Sequence, residues 1–294
     1  MRSIKDIQSR FWYSPYRNNL LRNKHYFEGI TKESRGLETR GLETLSRKNQ
    51  AELQPSEKER FVSALKTIIK NGQYGELVSI HTDAATYRIH TEWNDVETNK
   101  RFLPWHRVFL YEFESRLNNT PEGKNIRIPY WDWTVDRDIP DWLMDFKPII
   151  EDVPVFPDPD IPPPPHVPVI TDIHVERQPG TATDSDGKPI ELPTNDEINQ
   201  VYSRETFRQF TANLEGYHGR PHLWVGGTMA TYSSPADPIF WLHHANIDRI
   251  WSLWPKSQSK PPDIKEGMAE MRPWSYRTDE DRIEDSNIFG YIYE

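Results

Sequence analysis

The stretch Asp237-Pro-Ile-Phe-Trp-Leu-His-His-Ala-Asn-Ile-Asp-Arg-Ile-Trp251 decides how this chain is read. Asp followed by Pro reads as an N-cap with proline at the first helical position, where its missing N–H would have no partner anyway. Behind that start, Phe240, Leu242, Ile247, Ile250 and Trp254 carry an apolar helix, with His243 and His244 embedded in it. Neighbouring side chains on a helix project about 100° apart, so one of the two imidazoles reaches a given ion while the other supports it or packs.

Upstream, Tyr217-His-Gly-Arg-Pro-His222 sets His218 and His222 four residues apart, so on a helix both rings leave one face and can hold one ion. Such a pair is weak evidence alone. Further towards the N-terminus, Tyr74, Leu77, Val78 and His81 recur at i, i+3, i+4 and i+7. His106 shares a side with Leu110, Phe113 and Leu117 on a helix expected to begin near Trp105. Of the ten histidines, six or seven fall in two groups within apolar helical sequence, whereas His25, His166 and His174 lie in polar or proline-rich sequence. One buried histidine is usually a satisfied core residue; the grouping is what points to metal. An all-imidazole set suits copper, zinc or nickel rather than calcium or magnesium, and spacing does not choose among the three. Two such sets converging inside one helical bundle point towards O₂ chemistry at copper.

With 294 residues the chain can bury one substantial core, so one main domain is expected. The fold class is mainly α: a four-helix bundle holding a two-metal centre, with long irregular proline-rich loops. A first helix is expected from the capping pattern Ser56-Glu-Lys-Glu59, with Phe61, Leu65, Ile68 and Ile69 inward and a stop near Gly72. Between about 145 and 195, repeated prolines, including Pro162 to Pro165, favour an extended surface loop before helix resumes near Asn195. Residues 1–46, with the tandem Gly36-Leu-Glu-Thr39 and Gly41-Leu-Glu-Thr44 and the aromatics Phe11-Trp-Tyr13, read as an N-terminal extension to a domain at 47–294.

The net charge of −9 comes without a basic run, which leaves nucleic acid no electrostatic footprint. The absence of cysteine excludes disulfides, thiolate metal sites and cysteine nucleophiles. No apolar segment is long enough for a signal peptide or a membrane span, so the chain as synthesised is expected in the cytoplasm, its export requiring a partner.

Four stretches together carry a resemblance to bacterial tyrosinases and, more broadly, to the coupled binuclear (type 3) copper proteins that include catechol oxidases and haemocyanins. They are Arg101-Phe-Leu-Pro-Trp-His-Arg107 with Glu112-Phe-Glu114, Ile128-Pro-Tyr-Trp-Asp-Trp133, His218-Gly-Arg-Pro-His-Leu-Trp-Val-Gly-Gly227, and the stretch from Asp237 to Trp251. Gly290-Tyr-Ile-Tyr293 is similar to the tyrosine motif that closes the catalytic domain in that family. The resemblance implies two copper ions per chain and O₂ as co-substrate, oxidising small phenols to ortho-quinones, with a copper-delivery helper protein as a further partner. It implies His81 and His106 at the first copper, His218, His222 and His244 at the second, and Asp248 as the helix residue that orients the second.

The middle ligand of the first copper departs from the pattern. The family carries it nine residues before the histidine at 106, where this chain has Glu97, and His90 is the histidine available between His81 and His106. His90 is preferred, since an imidazole triad suits copper, with Glu97 the alternative. The resemblance also implies that Glu215 holds a water assisting phenol deprotonation, in the family together with an asparagine whose place is Gly219 here. That change favours diphenols over monophenols, as in catechol oxidases. Tyr232 and Ser233 fall where the family's loop approaches the substrate pocket. A haemocyanin-like oxygen carrier and a redox-inactive zinc relative are the competing readings.

Overall fold

The computed structural model describes residues 45–83, 87–90, 96–156, 168–254, 264, 269–278 and 280–294, with 96–98 described by backbone alone. The tandem repeat, the aromatic cluster, His25, His166 and the run Pro162–Pro165 therefore lie outside the described residues. The described chain is mainly helical, as the apolar periodicities imply.

Helix α1, Pro55–Lys70, opens one residue before the expected capping pattern. Pro55 takes the first position, and the Glu57 carboxylate accepts from the N–H of Gln54 at 2.8 Å, so the box closes on Gln54 and Glu57 rather than Ser56 and Glu59. Phe61, Ala64, Leu65 and Ile68 turn inward. Gly72, at φ +84°, adopts the left-handed backbone that lets α2, Gln73–Thr82, start at once in a new direction.

Helix α3 spans Val96–Asn118, with Pro104 inside it, and so begins nine residues before the expected Trp105. Pro104 removes one helical N–H, which on sequence alone reads as a start. Burial overrides it: Asn99, Arg101, Phe102 and Leu103 in the extra turns are all buried. A short helix α4, Asp141–Met144, leads to β2, Ile149–Val155, which pairs antiparallel with β3, Val169–His174. The proline-rich stretch is thus more than a surface loop. Ile150 and Val153 of β2 pack against α2, close enough that a Cβ on Gly75 would meet both at 3.5 Å.

Helix α5, Asn195–Tyr202, starts where expected, capped by a reciprocal Thr194 and Glu197 pair. Helix α6, Phe207–Val225, is capped by Thr206, and helix α7 spans Ile239–Leu253. Pro238 is the cap residue of α7 rather than its first residue, and Asp237 Oδ1 accepts from the N–H of Ile239 at 3.0 Å. Strand β4, Tyr291–Tyr293, pairs in parallel with β1, Leu45–Arg47.

Helices α2, α3, α6 and α7 surround the centre, with α1 laid across α2 and α3. Inside, Phe113 stacks on Trp241 with centroids 3.9 Å apart, and Trp241 Nε1 donates to the Tyr74 hydroxyl at 3.0 Å. Stripping one such ring to alanine typically costs about 3–5 kcal/mol. This packing fixes the helices that carry the histidines. No described helix is long and apolar enough to cross a membrane.

Candidate metal centre

Seven imidazoles converge inside the bundle in two groups. His81, at the end of α2, His106 of α3 and His90, which lies on none of these helices, form one; His218 and His222 of α6 with His243 and His244 of α7 form the other. Within each group the candidate ligand nitrogens all lie within 4.8 Å of one another. The groups abut: His106 stacks on His244 with centroids 4.4 Å apart and planes 11° apart, and His90 stacks on His218 at 5.7 Å.

Hydrogen bonds from the outer nitrogens set the chemistry of the inner ones. Nδ1–H donates to a backbone carbonyl in His81 (Tyr232, 2.7 Å), His106 (Phe102, 2.8 Å), His222 (Met229, 2.7 Å) and His218 (Glu215, 3.3 Å). In a neutral imidazole that bond assigns the proton to Nδ1 and leaves Nε2 as a lone pair facing inwards. Nε2 of His244 then lies 3.3 Å from that of His218 and 3.2 Å from that of His222, and His90 Nε2 lies 3.3 Å from His81 Nε2. Lone pairs crowded at such distances repel unless a cation lies between them. Nε2 of His106 is buried with no hydrogen-bond partner, a further ligand atom without a proton donor.

His243 differs. Its Nδ1 accepts the Nε1–H of Trp133 at 3.1 Å, which assigns its own proton to Nε2 and removes both nitrogens from metal duty in the neutral ring. It stacks on His218 at 5.2 Å and supports that ring.

All seven rings are held neutral. Burial is the dominant cause, lowering His81 to about 3 against the hydrogen bond it donates to the Tyr232 carbonyl, and His222 to about 4 against the one it donates to the Met229 carbonyl. It pushes His90, His106, His218, His243 and His244 well below the usual imidazole range, with neighbouring rings adding to the effect. Neutral imidazole is the ligand form, so the site needs no deprotonation to bind metal at neutral pH.

Beneath the rings lies a buried polar framework. Asp248, one turn beyond His244 on α7, accepts from Arg107 Nε at 2.5 Å, from the hydroxyls of Tyr291 and Tyr293 at 2.6 and 2.5 Å, and from Arg47 Nη1 at 3.3 Å. Burial alone would raise its carboxyl; Arg107, Arg47 and the two hydroxyls hold it below the ordinary range instead. Arg47 also donates to Glu114 at 3.0 Å, and Arg127 donates to the other oxygen of that carboxylate at 2.7 Å. At the other end of α7, Arg177 grips Asp237 with two bonds of 2.7 Å and donates to the carbonyls of Leu143, Met144 and Phe146.

The other residues singled out in the sequence fall as follows. Glu215 lies on α6 beside the first group, its Oε1 3.9 Å from His90 Nδ1, with Asn99 Nδ2 donating to its Oε2 at 2.7 Å. Gly219 follows His218, and a Cβ built there meets nothing within 4 Å. Tyr232 supplies the carbonyl that anchors His81, with its ring 6.4 Å from His90, whereas the Ser233 N–H is taken by Thr231 Oγ1. The side chain of Glu97 lies outside the described residues, and His174 is exposed at the end of β3, apart from the centre. Sequence reasoning missed Arg47, Arg177, Asn99 and the anchoring carbonyls. Only Asp237, a charge opening an apolar helix, hinted at a buried cation partner.

A helical bundle that seats two neutral all-imidazole clusters ring against ring defines a class, the paired-metal proteins whose ligands come from facing helices. Residues 71–257 match the family model described as the common central domain of tyrosinase. The chain is 34% identical to the tyrosinase of Streptomyces glaucescens over 277 residues, covering 78% of this chain and 92% of that one. It is 34% identical to that of Streptomyces antibioticus over 262 residues, covering 79% and 93%. The solved tyrosinase from Burkholderia thailandensis shares the fold with a TM-score of 0.56 at 16% identity, over 85% of this chain and 73% of that one. The chain belongs to the tyrosinase family, and it is an oxidoreductase of that type, a type 3 copper phenol oxidase. Membership implies a binuclear copper centre and the use of O₂.

Proposed function

We propose that His81, His90 and His106 hold one copper ion, that His218, His222 and His244 hold a second, and that the pair oxidises small phenols to ortho-quinones. The observation that carries this reading is the set of four Nδ1-to-carbonyl bonds, which turn bare Nε2 lone pairs towards two common centres. The donor set fits copper: borderline imidazoles only, in an aromatic surround, with Phe240 4.1 Å from His244 and Phe102 4.7 Å from His218. Bound copper would supply O₂ binding and electron transfer: two diphenols and one O₂ give two quinones and two waters, and one monophenol and one O₂ give one quinone and one water.

The rest falls to the protein. The carbonyl anchors keep each ring in one tautomer and orientation, and the buried surround excludes water. Glu215 is proposed to hold a water near the phenol, with Gly219, Tyr232 and Ser233 edging the substrate pocket. Gly219 offers no side-chain amide there, which favours diphenols. The extension expected at residues 1–46 is proposed to end before Leu45, because Leu45 and Ser46 already pair with β4 of the catalytic domain.

Copper counting after loading with Cu²⁺ alone, followed by O₂ uptake with an ortho-diphenol and with a monophenol, tests the assignment. Two coppers per chain and faster diphenol turnover are expected, and failure to load from the free ion would indicate a delivery protein. One copper per chain, or O₂ binding without quinone, would refute the proposal. Gly219→Asn has room for its side chain and is expected to raise monophenol turnover relative to diphenol turnover.

A further inference from the structure

His90 is the one proposed ligand carried by none of the described helices, and among the described residues no backbone carbonyl accepts from its Nδ1 as one does in four other ligands. The group facing that nitrogen is a carboxylate: Glu215 Oε1 lies 3.9 Å away. The carboxylate is itself aimed. Asn99 is buried in the first turn of α3, and its Nδ2 donates to Glu215 Oε2 at 2.7 Å.

Asn99 is held at a second point, where its carbonyl accepts from the buried hydroxyl of Thr211 at 3.1 Å. Thr211, Glu215, His218 and His222 follow one another along a single face of α6. One residue of α3 therefore grips two successive turns of α6 just before the ligands begin. Glu215 touches both clusters: its backbone carbonyl accepts from His218 Nδ1, and its carboxylate faces His90.

We propose that Asn99 is a positioning residue of the first copper site, its amide holding the Glu215 carboxylate against Nδ1 of His90 so that helix α6 aims a ligand that no described helix carries. A carboxylate beside the outer nitrogen of a metal-bound histidine fixes the ring's orientation and strengthens it as a ligand. The inference rests on His90 being a ligand, and it accounts for how this chain orients a ligand that lies off the described helices.

The test compares Asn99→Leu, Asn99→Asp, Thr211→Val and His90→Ala in the full chain, loaded with Cu²⁺. Copper-to-protein ratio, competition with a chelator and electron paramagnetic resonance are the readouts, since a lone Cu(II) gives a signal that a coupled pair does not. Asn99→Leu lacks the amide, and Asn99→Asp, although isosteric, sets a second carboxylate against Glu215. Both are expected to weaken the first site about 10- to 100-fold, the range typical for lost outer-shell partners, and to show the lone Cu(II) signal of a retained second site. Thr211→Val, which removes only the helix-to-helix grip, is expected to keep both ions. Should both Asn99 variants hold two coppers with unchanged chelator competition, or lose both ions to the same extent, the positioning role is wrong. Should His90→Ala keep its first copper, the ligand assignment itself fails; should it lose that copper while the Asn99 variants keep theirs, only the role of Asn99 fails.

Discussion

Trp133 and His243 show how a single hydrogen bond sorts two adjacent histidines. The indole N–H can only donate, so the ring nitrogen it meets must be an acceptor, and the proton of His243 is forced to the nitrogen that would otherwise bind metal. Nε2 of His244, in contrast, lies within 3.3 Å of two other ligand nitrogens. His244→Ala is expected to lower the copper content from two ions to one, whereas His243→Ala should keep two and bind them less tightly; elemental analysis of the loaded variants decides. The histidines were legible in the sequence because a titratable ring on an apolar helix face is conspicuous. Their tautomers were not, because Phe102, Met229 and Tyr232 act through backbone carbonyls, which every residue has.

Helix α7 is pinned just before its start by Arg177 on Asp237 and in its C-terminal half by Arg47 and Arg107 on Asp248. The pair of Arg177 with Asp237 is fully buried, with every bond of the guanidinium directed at a carboxylate or a carbonyl. Removing one partner leaves an uncompensated charge and costs about 3–5 kcal/mol. Arg177→Met is therefore expected to lower the melting temperature by on the order of 10 °C, at roughly 2–4 °C per kcal/mol, while the folded fraction still binds two coppers; calorimetry with metal counting checks both. The helices were readable from apolar spacing and caps, with the cap shifted by two residues at α1 and by one at α7. The beginning of α3 was hidden by Pro104, which looks like a start, and β2 and β3 were hidden among prolines. Arg177 lies sixty residues from its partner, in a stretch with no periodicity to mark it.

For the molecule as a whole, seven imidazoles buried neutral make stability depend on acid. Each is held below 6.5 in the folded state, so between that value and its folded one the unfolded chain binds more protons. Stability then rises with pH across that window and falls as pH drops through it. The metal-free chain is expected to lose urea resistance steadily from about pH 6.5 towards about 4, reaching its loss for His222 near 4 and for His81 near 3. Urea midpoints flat across that range would contradict it. The loaded protein should release copper over the same acid range as protons compete for the nitrogens. The parallel pairing of β1 with β4 has a consequence in time. During synthesis the segments that carry all seven clustered histidines are made before Tyr291 and Tyr293, the two hydroxyls that complete the shell of Asp248, have left the ribosome. A contact between such distant positions forms slowly, because its loop-closure entropy must be met before any reward arrives. The nascent chain therefore exposes its imidazoles before it can lock them, and copper added at that stage would meet a floppy chelator rather than a finished enzyme.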